Sequence, residues 1–253
     1  MRVMHCMICW KWLLCEEERW RCTLIEYLEG VLTTNFDTIN KYVDVEDNQV
    51  VKEILQTMKL HYKGQYNLDP NSLPHGEHKP GAVKFKEAES SKQMAIIGNV
   101  LAVVLMIVFA IPAVVRARAY IGDYGFQISL GFLASLVALF PHEILHAICF
   151  KEDVYLYTNM KQGMLFVVGP ESMSKGRFIF MSMLPNLVFG FIPYCIGMIF
   201  PQMGFFLALG CLAIGMGAGD YYNVFNALRQ MPKGAKTYLY QFNSYWYMPE
   251  EQE

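Results

Sequence analysis

Charge is what this chain has least of. Only 17% of its 253 residues are Asp, Glu, Lys or Arg, against 54% hydrophobic, and the formal net charge is −2. So weak a field gives no reason to expect nucleic acid as a partner. A disulfide framework is missing too, because the seven cysteines are odd in number and Cys149, Cys195 and Cys211 fall in apolar runs, where a thiol packs as a small hydrophobe. No cleavable signal peptide is evident. The apolar core of residues 1–14 is short and interrupted, and Glu16, Glu17 and Glu18 follow at once, so the first membrane segment would serve as the insertion signal.

What the chain has instead is length in its apolar runs. Mean hydropathy is +0.22, too high for an average soluble domain. About 20 apolar residues suffice to cross a bilayer core of about 30 Å. Four stretches qualify: 94–115, 126–150, 177–200 and 204–228. The expected fold is therefore an α-helical membrane protein with four transmembrane helices, and the bilayer is its first partner.

The second run ends in Phe140-Pro141-His142-Glu143-Ile144-Leu145-His146, an H-E-x-x-H word. On a helix, residues four apart share a face one turn from each other, so His142 and His146 can offer two imidazoles to one metal ion. Glu143 puts a carboxylate beside that ion, where it can take a proton from attacking water, which is the zinc hydrolase arrangement. Ionisable groups in lipid-grade sequence cost about 2.5 to 3.5 kcal/mol each, so they mark a functional interior. Pro141 should bend the helix just before the word.

Positive charges set the orientation. Lys84, Lys86 and Lys92 precede the first run, Lys151, Lys161, Lys175 and Arg177 separate the second from the third, and Arg229, Lys233 and Lys236 follow the fourth. Arg116 and Arg118 oppose this bias, but the majority places both termini in the cytoplasm of a multi-pass cell-membrane protein.

With that topology His142 lies eight residues before the end of run two and Asp220 eight before the end of run four, both about 12 Å deep at 1.5 Å per residue. Asn186, nine residues into run three, comes to about 13 Å. Three spans thus bring their least lipid-compatible side chains to one level. Catalytic zinc commonly takes three protein ligands, which makes Asp220 the third and Glu171, in the loop before run three, the reserve. Gly215, Gly217 and Gly219 allow run four a close approach to its neighbours. Residues 154–157 and 164–168 flank a turn and read as a small β-hairpin between runs two and three, whose edge suits an extended peptide.

The remaining segments carry weaker signals. Residues 1–57 read as a small cytosolic helical appendage, with helices near 23–32 and 50–58, or as a segment that is not part of the natural core. Cys6, Cys9, Cys15 and Cys22 contain a single C-x-x-C pair and read as free thiols. Trp10, Trp12 and Leu13 beside Lys11 suit a membrane surface instead. Residues 58–93 form a turn-rich connector holding His61, His75 and His78, residues 94–236 the membrane domain, and 237–253 a C-terminal tail.

Three motifs, His142-Glu-Ile-Leu-His146, Ser182-Met-Leu-Pro185-Asn186 and Gly219-Asp220-Tyr-Tyr-Asn223, resemble small bacterial membrane proteins catalogued as zincin peptidases, which are distantly similar to site-2 intramembrane metalloproteases. The resemblance spans about residues 84–236. It implies a Zn2+-dependent endopeptidase acting on a membrane protein or membrane-adjacent peptide substrate, with an aspartate from a later span as third ligand, matching Asp220, and an asparagine near the site, matching Asn186. Glu143 and Asn186 would be catalytic, Asn186 on the oxyanion. Leu184 replaces the glycine of the usual Gly-Pro element, and Tyr221 replaces the glycine of the usual Asp-Gly pair. The rival reading is a non-proteolytic membrane protein that keeps its zinc for structure or acts as an assembly partner; metal transport is weaker, for want of a second gate.

Overall fold

A computed structural model describes residues 3–6, 59–88, 90–159, 164–241 and 243–249. The helices expected near 23–32 and 50–58, and Cys9, Cys15 and Cys22, lie outside these residues. Helices dominate, and two small sheets sit at their ends.

The first helix, α1 (Ser91–Ala117), starts at Ser90, whose Oγ accepts the Gln93 N–H at 3.2 Å. One orphan donor of the first turn is thereby satisfied. Ile96, Val100, Val104, Ile107, Ile111 and Val114 are exposed along it. A continuous apolar stripe of that kind is costly in water and at home in lipid.

The second apolar run is two helices, α2 (Gly125–Val137) and α3 (Leu139–Ile148), bent by 41°. Pro141 accounts for the bend, since it has no N–H to give the Val137 carbonyl and its ring crowds that turn. The ladder resumes where His142 N–H meets Ala138 O at 2.9 Å. The third run is α4 (Lys175–Pro185), a π-helical turn at Asn186–Phe191, and α5 (Ile192–Ile199). The fourth is α6 (Gly204–Met216) and α7 (Ala218–Gln230), bent by 51° about Gly217. Among the described residues two helices are long and apolar enough to cross a membrane, or up to four spans if each bent pair is one. At the α5–α6 crossing a Cβ on Gly210 would fall 2.5 Å from Tyr194 N, so only glycine lets these backbones meet.

The expected hairpin is present as β4 (Val154–Asn159) paired antiparallel with β5 (Met164–Val168). Two further strands complete its sheet. β1 (Val3–Cys6) lies antiparallel on the outer edge of β5, and β2 (Leu60–Gln65) runs parallel to β4. The second sheet has the order β3 (Val83–Lys84), β8 (Asn243–Tyr247), β7 (Lys236–Tyr240), β6 (Met173–Ser174).

The segments on either side of the helices also contribute strands. Residues 58–93 are more than a connector, since they supply β2 and β3, and residues 237–253 are more than a tail, since they supply most of the β7–β8 hairpin. Thr237, Tyr238 and Leu239 are buried in succession. A strand buried on both faces shows no alternation to read.

The larger core lies where the first sheet meets the helix ends, with Phe150, Val154, Phe166, Val167, Met173, Met181 and Met231 in one buried cluster. It holds β5 against α3 and α4, and so fixes the surroundings of the histidine word.

Candidate metal centre

His142, Glu143 and His146 all point inward from α3, at 4%, 0% and 0% exposure. Their ligand-capable atoms lie within 4.8 Å of one another. The two imidazoles meet edge to face, with centroids 4.7 Å apart.

From α7 comes Asp220, buried to 1%. Its Oδ2 is 3.1 Å from His142 Nε2 and its Oδ1 is 3.4 Å from His146 Nε2. Asp220 occupies the first turn of α7, just beyond the Gly217 bend. That bend, like the Pro141 bend and the π-helical turn at Asn186, falls at the level of the centre. Each span therefore departs from regular helix where it presents its polar group.

Hydrogen bonds fix the ring and carboxylate orientations. His146 Nδ1 lies 2.9 Å from Met181 O. A carbonyl only accepts, so the proton sits on Nδ1 and Nε2 turns a lone pair toward Asp220. Asn186 Nδ2 donates to Asp220 Oδ2 at 2.7 Å and to Ser182 O at 3.0 Å. Both amide protons are thus committed, and the oxyanion role expected of Asn186 has no donor left to perform it. Glu143 Oε2 accepts the Val167 N–H at 3.1 Å, which ties the carboxylate to the edge of β5.

The donor set fits a zinc ion. His146 Nε2 and Asp220 Oδ1 are buried without a hydrogen-bond partner among the described residues, although such groups cost free energy when unsatisfied. Bonds of about 2.0 to 2.1 Å to a tetrahedral zinc put its ligand atoms about 3.3 Å apart. The two His–Asp separations, 3.1 Å to Oδ2 and 3.4 Å to Oδ1, are of that order, each with a different oxygen of the carboxylate.

Glu171, the reserve ligand, is engaged elsewhere. Its Oε1 accepts from Arg177 Nη1, and its Oε2 accepts the N–H groups of Lys151 and Glu152 at 2.7 and 3.2 Å. Burial alone would raise its pKa, but Arg177 and the two amides together hold the carboxyl below its ordinary value. Arg177 also donates from Nε and Nη2 to Cys149 O at 3.1 and 2.6 Å, and so grips the end of α3. Arg177 and Met181, four residues apart on α4, act together on the histidine helix. Sequence reasoning used Arg177 only for orientation, and Met181 acts through its carbonyl, which no side-chain pattern reveals.

The connector histidines do not join the centre. His61 pairs with Asp153 at 2.8 Å on the surface, and His78 Nδ1 lies 3.0 Å from Tyr238 OH among the tyrosines of the second sheet.

Residues 135–236 match a family described as putative zincin peptidase. The match covers 102 of the 253 residues. The matched segment contains His142, Glu143, His146, Asn186 and Asp220, and it ends where β7 begins. No curated protein and no solved structure matches the chain.

Proposed function

We propose that the protein is a zinc-dependent membrane endopeptidase. His142, His146 and Asp220 are its metal ligands and Glu143 its general base and acid. The observation that carries this reading is the approach of Asp220, from a different span, to both Nε2 atoms beside a buried Glu143.

Bound zinc supplies positive charge that polarises a peptide carbonyl and eases loss of a proton from water. The side chains do the rest. Glu143 takes the proton of the attacking water and later gives it to the leaving amine. The Val167 N–H holds that carboxylate in place, and the Met181 carbonyl keeps His146 in its ligand tautomer. Asn186 is a positioning residue, because its amide orients Asp220. The apolar helices support a seat in the membrane, the bias of positive charges favours both termini on the cytoplasmic side, and the substrate we propose is membrane-embedded or lies at the membrane surface. A peptide bond inside a helix is shielded by its hydrogen bonds, so the substrate is cleaved in an extended, unwound stretch.

The test is Glu143→Gln in detergent-purified protein loaded with zinc, with casein and an apolar fluorogenic peptide as probes. The expected result is about one zinc per chain in both proteins and a loss of cleavage of about 10²- to 10⁴-fold in the variant. Equal cleavage by both, or none by either with zinc in place, would favour a structural metal.

A further inference from the structure

We propose that Val3–Cys6, paired along the outer edge of β5 beside the metal centre, act as an internal competitor for an extended peptide seated at that edge. The inference rests on the peptidase reading above for what the seat is used for, but not for its existence.

Strand geometry supplies the first step. A strand residue sends its N–H and C=O to the same edge, and its neighbours send theirs to the opposite edge. Val167 donates its N–H to Glu143 Oε2 at 3.1 Å. The outer edge of β5 passes Val167, the residue that holds Glu143 and pairs with Val3. A main chain laid along it passes beside the carboxylate that would handle the proton.

The second step is that a main chain does lie there. β1 pairs antiparallel with β5 in the register Val3 with Val167, Met4 with Phe166, His5 with Leu165 and Cys6 with Met164. It also touches α3 and α7. These are the elements that carry His142, Glu143 and His146 on one side and Asp220 on the other. One short segment thus reaches both ligand-bearing helices, with Val3 opposite the residue that anchors Glu143.

Burial supplies the third step. Glu143 and His146 have 0% exposure and Asp220 has 1%, and β1 already pairs along this edge of β5, so a second peptide must displace its occupant. Pairing through main-chain groups is tolerant of side chains, so an extended apolar segment of about four residues would suit it. An open strand edge is also an aggregation hazard, which gives the chain reason to cover its own. Apparent affinity for an added peptide then falls by the fraction of chains whose seat is empty.

The test uses full-length, zinc-loaded protein in detergent and needs no cleavage. The probe is a fluorescein-labelled peptide with the sequence of residues 1–8 carrying Cys6→Ser. In Val3→Pro/His5→Pro protein the N-terminal strand loses two main-chain donors, and the probe should bind about tenfold tighter than to wild type, with zinc content unchanged. In a second protein, Met164→Cys with every native cysteine except Cys6 replaced by serine, mild oxidation should join Cys6 to residue 164 and exclude the probe. Equal probe binding by wild type and the proline variant, or no cross-link, would overturn the inference. If the cross-link and the competition stand while no peptide is ever cleaved, the seat survives and the peptidase reading alone fails.

Discussion

Gly217 lies so close to the side-chain oxygen of Asn186 that a Cβ on it would overlap that atom. The bare backbone at the α6–α7 bend is what lets Asn186 reach Asp220 at 2.7 Å. Gly217→Ala must push the amide aside, at about 1 to 3 kcal/mol for overpacking a tight site. The variant should fold with a lower melting temperature and bind zinc about tenfold more weakly, as loss of a group that orients a ligand does. Zinc competition with a chromophoric chelator reads this directly. An unchanged affinity would mean that Asn186 does not orient Asp220.

Glu171 makes stability depend on pH in one direction. Its folded pKa lies below its ordinary 4.5, so its contribution is fully present above that value and is lost as pH falls through the depressed one. The difference in melting temperature between wild type and Glu171→Gln should be constant above about pH 5 and shrink below it. Arg177→Gln should remove most of this dependence, because Arg177 holds the charged form. A difference that persists undiminished at low pH would contradict the assignment.

Orientation is tested by single cysteines. With the native thiols replaced by serine, Gln202→Cys, in the turn between α5 and α6, and Lys233→Cys, beyond α7, should lie on opposite sides of the membrane. An impermeant maleimide added to intact cells should label Gln202→Cys and leave Lys233→Cys unlabelled until the cells are lysed. Labelling of both in intact cells, or of Lys233→Cys alone, would overturn the topology.

Much of the site was legible because helix geometry is regular. The four-residue spacing of His142 and His146 implies a shared face, and equal counts to the ends of two apolar runs placed Asp220 at the same depth. Pro141 announced its own bend. The role of Asn186 was not legible, since a donor count needs partners, and only coordinates show both amide protons taken. Nor was the placing of Glu171, which is decided by two backbone amides and an arginine six residues on. β7 escaped because Thr237, Tyr238 and Leu239 are all buried, so the alternation that identifies a half-buried strand is absent. β1 escaped for another reason: four residues carry too little pattern to outweigh the cysteines and tryptophans around them.

The central claim is that one zinc ion is held jointly by α3 and α7. Metal content of the purified protein, measured by mass spectrometry beside His142→Ala, His146→Ala and Asp220→Ala, tests it most directly. The account expects about one zinc per wild-type chain and a large loss in each variant, Asp220→Ala included. Full zinc in Asp220→Ala, with loss only in the histidine variants, would contradict it.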